Sequence, residues 1–300
     1  MEHHCGGCKI RKVKSLETGH SDAATEVLLA AAFGADCGPV GPLAAPGGAA
    51  WLRAVALAGA GRFAAARTVA ASVGDGPFAA AARCLEASML RQSGRHRTAT
   101  GPDGAALALA AAQPGEPASG LRTALMVDAT VGLAADALGT GRYPLSARLL
   151  ARADEHLAAQ CDGSAPASVP EPWWTVPRAR LRRDWVAAEL AVYSGDAAGA
   201  GAAVPALLAA DPGESRPRHR AKTLLIAGAA AMASGDGERA EALVGKAYHV
   251  ATEAGLNPLR WAGAKMMSGL SGAGQGAQMS RVAAALESEW IRDGADLAGV

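Results

Sequence analysis

The stretch GAGRFAAARTVAA (residues 59–71) places a glycine–arginine pair between two alanine-rich runs. Alanine is the strongest helix former, and neither run contains proline, so both are expected to be helical. Glycine closes a helix by adopting the left-handed conformation that other residues reach only at a cost. The stretch therefore reads as two helices joined by a tight turn.

The arrangement recurs. Glycine followed by Arg or Asp occurs at Gly61, Gly94, Gly141, Gly195 and Gly235, each behind a helix-compatible run such as LMVDATVGLAADALGT (125–140) or RRDWVAAELAVYS (182–194). Five positions after each glycine stands a small residue: Ala66, Ala99, Ser146, Ala200 and Ala240. A small residue one turn into the second helix lets it pack closely on the first. Gly272 with Ala277 reads as a sixth instance, whereas Gly74, followed at once by Gly76 and Pro77, reads as a loop. The spacing predicts an all-α array of five or six antiparallel hairpins.

The pattern resembles the tetratricopeptide family, which places glycine at the turn, an aromatic residue two positions on and alanine at the fifth. Phe63 and Tyr143 supply the aromatic, whereas His96, Ala197 and Gly237 depart from it; ADP at residues 210–212 matches the family's habit of closing the second helix with Asp-Pro. Successive glycines lie 33, 47, 54, 40 and 37 residues apart, against a family period near 34. The excess sits in QPGEPASG (113–120) and CDGSAPASVPEPWWTVP (161–177), and GPDG (101–104) is expected to interrupt a second helix. The chain thus resembles the looser form of that pattern common in helical sensor and scaffold domains rather than a strict array. It is also similar in texture to the alanine-rich helical-repeat segments of actinobacterial regulators, most of all in ATEAGLNPLRWAGAK (251–265). The resemblance implies a right-handed superhelical array over residues 51–294. Ahead of it, residues 1–20 are expected to form a disordered tail and residues 21–50 an N-terminal helix with a Gly/Pro linker.

Composition agrees with the class. Half of the residues are hydrophobic but only 4% are aromatic, so Ala, Leu and Val must build the core. The 29 Lys and Arg against 28 acids give no overall bias toward nucleic acid. Five cysteines scattered through a long chain do not form a disulfide framework, and no apolar run approaches a membrane span. The apolar VLLAAAFGADC (27–37) is flanked by Glu26 and contains Asp36, which argues against a secretion signal. A cytoplasmic protein with no membrane partner is expected.

The candidate sites are few. In HHCGGCKIRKVK (3–14), Cys5 and Cys8 have the spacing that brings two thiolates to one metal, and His3 and His4 can complete the set. No second CxxC accompanies them, and a tail without metal is the plainer expectation. Cys84 lies in a helical run and reads as a small buried hydrophobe. Trp173 and Trp174 fall in a proline-bounded loop and are expected to plug the gap beside a long insertion. No nucleophile–base–acid set or carboxylate pair suggests catalysis, and no cofactor is implied.

Basic residues carry the main functional expectation. Arg180 and Arg182 stand 15 and 13 residues before Gly195, and Arg220 and Lys222 stand 15 and 13 before Gly235. Arg183 and Arg260 stand 12 before Gly195 and Gly272. With Arg178, these positions are expected to form a ladder of positive charge in a concave groove lined by first helices. Such a groove suits an acidic protein or peptide segment. The expected function is a non-catalytic interaction scaffold or regulatory adaptor. A metal- or redox-responsive adaptor, or a nucleic-acid-associated protein, is the alternative.

Overall fold

All five turn glycines occupy the left-handed region, with φ from 73° at Gly141 to 89° at Gly235, in the computed structural model of the chain. The structure describes residues 23–36, 47–113, 120–161 and 171–297. The tail, with His3, His4, Cys5 and Cys8, and most of the Gly/Pro linker lie outside them.

At each of these turns, the amide after glycine reaches back to the carbonyl five residues earlier. Arg62 donates to Leu57 at 2.9 Å, Arg95 to Leu90 at 2.9 Å, and Asp236 to Ala231 at 2.9 Å. That bond satisfies a carbonyl the helix end would otherwise orphan. Where aspartate follows the glycine it has a second task. Asp196 and Asp236 accept from the amides of Gly199 and Arg239 and cap the helix that begins there.

The described residues form thirteen helices and no strand. They are α1 (Ala23–Phe33), α2 (Gly48–Gly59), α3 (Phe63–Ala71), α4 (Ala79–Gln92), α5 (His96–Ala112), α6 (Leu121–Gly139) and α7 (Tyr143–Cys161). The rest are α8 (Val176–Ser194), α9 (Ala197–Ala209), α10 (Pro217–Ala233), α11 (Gly237–Glu253), α12 (Asn257–Leu270) and α13 (Ala273–Arg292). From α2 onward they pair as six hairpins across turns of two or three residues. The first helices α2, α4, α6, α8, α10 and α12 also pack on one another in succession.

Close approach within hairpins depends on the small residues read from the sequence. Ala66, Ala99, Ser146, Ala200 and Ala240 are all 0% exposed. The sixth hairpin departs by one position. Gly272 is extended with φ −56°, Ala277 is exposed, and the close approach falls on Gly276, where a Cβ would lie 2.9 Å from the Ser268 carbonyl. GPDG does not interrupt its helix. α5 runs through Pro102, and Asp103 turns inward with no exposed surface.

The end of the array is not a free cap. The spacing of Met279, Val282, Leu286 and Trp290 predicts one apolar stripe closing the last hairpin. Met279 and Val282 do pack with Leu224, Leu225 and Val244 of the preceding hairpin. Trp290, however, meets Phe63 of the first hairpin edge-on, with ring centroids 5.2 Å apart. Beside it Ala64 N–H donates to the Asp293 carbonyl at 2.8 Å, and Arg67 donates to the Gly294 carbonyl at 2.9 Å. Arg95 pairs with Asp296 at 2.6 Å. The largest apolar cluster accordingly joins Phe63, Ala66 and Phe78 to Trp290 and Ala295. The hairpins form a closed circuit of contacts.

The turn glycines carry a direct prediction. Gly195 has φ +77° and open space where a Cβ would point, so substitution there tests backbone conformation alone. Gly195→Ala is expected to lower unfolding free energy by about 1–2 kcal/mol in urea denaturation. Gly195→Asn should lose less, because asparagine tolerates the left-handed region. Equal losses would show that the turn does not depend on it.

Candidate functional site

Counting back from each turn glycine reveals one helical stripe. Residues 6 and 10 before the glycine are Val55 and Trp51 on α2, Ser88 and Cys84 on α4, Ala135 and Val131 on α6, and Glu189 and Trp185 on α8. Thirteen before it stand Ala81, Asp128, Arg182, Lys222 and Leu259; seventeen before it stand Arg178 and Arg218. The intervals of four, three and four residues keep one face of a helix aligned. All of these residues line a single cavity of about 720 Å³. Phe33, from the end of α1, completes its wall.

The wall is aromatic and basic. Phe33, Trp51, Tyr143, Trp185, Tyr193 and Trp261 face the cavity, with His96 and His219. His219 sits at the centre of a ring cluster, 4.7 Å from Trp173, 5.8 Å from Trp185 and 5.9 Å from Phe33 by centroids. Trp174 packs behind Trp51 at 5.9 Å. The Trp173–Trp174 loop therefore backs the cavity wall, as a plug in that position would. Cys84 is buried, and burial first, then Asp103 and Asp128, push its thiol well above the ordinary range. It stays protonated and unreactive.

Asp128 of α6 organises the α8 side. It is 3% exposed and accepts hydrogen bonds from both Arg178 and Arg182. Burial alone would raise its carboxyl, but the two guanidiniums hold it below the usual carboxylate value. Arg178 also donates through Nε to the Trp174 carbonyl at 2.8 Å. Arg182 has further N–H groups that make no hydrogen bond among the described residues. On α10, Lys222 pairs with Glu189 at 3.1 Å, and Arg218 donates to the Val55 carbonyl at 3.2 Å.

Burial, then Arg218, Arg178, Arg182 and Arg216, hold the His219 imidazole well below the ordinary histidine range. It is neutral, and its buried Nδ1 has no hydrogen-bond partner among the described residues.

A second charged cluster occupies the α4–α6 side. Arg91 is wedged between Asp103 of α5 and Asp136 of α6, with Asp136 Oδ1 at 3.3 Å. Gly132 makes this possible, since a Cβ there would overlap the Asp103 carboxylate; Gly139 likewise leaves room for the His96 ring. Burial pushes the Asp136 carboxyl up to about 6, against the pull of Arg91 and with Asp103 adding to the rise. Burial also raises Asp103. Two carboxylates facing one guanidinium leave this cluster short of positive charge.

Among the expected basic residues, Arg178, Arg182 and Lys222 meet at the cavity. The other four do not. Arg180 is exposed, and Arg220 turns toward Asp211 and Glu214 at 3.6 and 3.2 Å. Arg183 pairs with Asp154 at 2.6 Å, and Arg260 is half-buried outside the cavity wall. The equivalence between repeats holds, but residues two apart on a helix point to nearly opposite sides. Only the member 13 before the glycine faces inward. Arg91, Asp128, Arg218 and His219 escaped sequence reading, although Asp128 stands at the same position as Arg182 and Lys222.

No known protein-family model, curated protein or solved structure matches the chain. The site therefore has to be interpreted from its own chemistry. Among the described residues, no group of three or more His, Cys, Asp or Glu is placed to hold a metal ion. No described helix is long and apolar enough to cross a membrane.

Proposed function

We propose that the chain is a non-catalytic binding protein, a cytoplasmic scaffold or regulatory adaptor that receives the acidic segment of a partner protein between its first helices. The resemblance to tetratricopeptide arrays supports this reading, because it implies a right-handed superhelix with the first helices inside. The observation that carries it is the charge on the α8–α10 wall. Arg178, Arg182, Arg218 and Lys222 face the cavity there against only Asp128 and Glu189. This local excess belongs to a chain whose total charge is +1. Guanidiniums already oriented by Asp128 lose little freedom when they accept a carboxylate, so a preformed wall binds more tightly than a flexible one.

Calorimetric titration with a glutamate-rich and a lysine-rich decapeptide tests the reading. The acidic peptide is expected to bind with an affinity that falls as salt rises. The Arg182→Gln/Lys222→Gln variant should lose about tenfold or more with helix content unchanged. Glutamine is preferred to glutamate because a new carboxylate would face Asp128. Equal binding of both peptides, or by the variant, would remove the cavity from the function.

A further inference from the structure

The protein has few aromatic residues, and they are not spread evenly. The chain contains twelve Phe, Trp and Tyr residues, and half of them line this cavity. Trp173 and Trp174 stand directly behind that wall, against His219 and Trp51. Phe63, Phe78 and Trp290 pack in the core without lining the cavity, and Ala, Leu and Val fill most of the remaining interior. Flat ring faces beside oriented guanidiniums recognise a flat apolar body joined to a negative charge.

From this we infer that the cavity binds an aromatic ring bearing a carboxylate, with the ring among Phe33, Trp51 and Trp185 and the carboxylate on Arg182 and Lys222. This rests on the binding reading above and names the group that is seated. Trp185 lies three residues after Arg182 on α8, and His219 three before Lys222 on α10, so each helix offers a ring and a cation on one face. Trp185 is fixed by a 3.0 Å hydrogen bond from its indole to Thr223 and by stacking on His219. The His219 Nδ1, buried on the same wall without a partner, gains one from a polar group on the ligand. The cavity, at about 720 Å³, falls within the roughly 300–1,000 Å³ that small-molecule sites span. The same chemistry is offered by a free aromatic acid or by an acidic segment ending in phenylalanine.

Titration calorimetry on the full chain separates these. The probes are 3-phenylpropionate, 3-cyclohexylpropionate, 3-phenylpropionamide, and a glutamate-rich peptide ending in phenylalanine with a free or an amidated terminus. At least one aromatic carboxylate, free or at the peptide end, is expected to bind about tenfold more tightly than the corresponding amide. The phenyl acid should exceed the cyclohexyl acid by a similar factor if the ligand is a small molecule. Binding confined to the free-terminus peptide assigns the aromatic carboxylate to a protein end. Equal binding of the phenyl and cyclohexyl acids together with equal binding of the two peptides overturns the inference while the acidic-ligand reading stands. No binding by any acid overturns both. Because all comparisons use the unaltered protein, a folding defect in a variant cannot decide the result.

Discussion

Replacing Arg91 with methionine should lower unfolding free energy by about 3–5 kcal/mol at pH 8, a large share of the stability of any protein. The cause is the charge left behind. Asp103 and Asp136 are 0% and 1% exposed, and Arg91 is the cation hydrogen-bonded to both. The loss should shrink on acidification. The folded-state pKa of Asp136 lies near 6, above its unfolded value of 3.8. Between those values the folded protein binds a proton that the unfolded chain does not, so this group's contribution to stability grows as pH falls and is lost as pH rises through 6. Without Arg91 the carboxyls take up protons at higher pH still.

Urea denaturation of parent and variant at pH 8 and pH 5.5 measures the effect. His219 acts in the opposite sense, since its lowered pKa costs stability as pH falls below 6.5. That contribution is common to both proteins and cancels in the difference. Adding Asp103→Asn and Asp136→Asn to the methionine variant should recover most of the loss at pH 8. A deficit equal at both pH values would mean that Arg91 acts by packing rather than by charge.

Trp290→Ala should cost about 3–5 kcal/mol and open the contact between the first and last hairpins. Trp290 is 3% exposed and lies against both Phe63 and Trp261, at 5.2 and 5.6 Å by centroids. Its loss leaves a void that stiff helices fill poorly. The local consequence is specific: the Ala64 amide, which donates to the Asp293 carbonyl, should lose protection in hydrogen exchange. The Asp196 amide at the α8–α9 turn, which donates to the Ala191 carbonyl and belongs to neither joined hairpin, should change only as far as global stability falls. Retained protection at Ala64 would show that the hairpins stay joined without the tryptophan.

Turn chemistry was the most legible part of the fold. Glycine at the end of a helical run is a local requirement, and Gly61, Gly94, Gly141, Gly195 and Gly235 met it with positive φ. The buried small residue five positions on followed from the same local geometry. GPDG misled because proline reads as a break, yet Pro102 is held inside α5 while its neighbour Asp103 is drawn inward by Arg91 from the adjacent helix. That attraction is tertiary and leaves no local trace. Arginine positions were right in register but wrong in direction, since equivalence along the chain does not fix which side of a helix a residue occupies. Arg182 and Lys222 faced inward; Arg180 and Arg220 did not. The carboxylate that orients Arg182 was visible in principle, as the first of two aspartates in the otherwise apolar run 125–140, at the matching position.

An open array can gain or lose a unit at either end, because the outermost unit has one neighbour and the rest of the stack is indifferent to it. The junction of Phe63, Ala64 and Arg67 with Trp290, Asp293 and Gly294 removes that freedom. Every hairpin here has a neighbour on both sides, so there is no outermost one to duplicate or discard. The number of hairpins becomes a closure condition, like the number of staves in a barrel. Connections between hairpins can differ in length, as those at 113–120 and 161–177 do, but adding or deleting a hairpin would have to reshape every other interface at once.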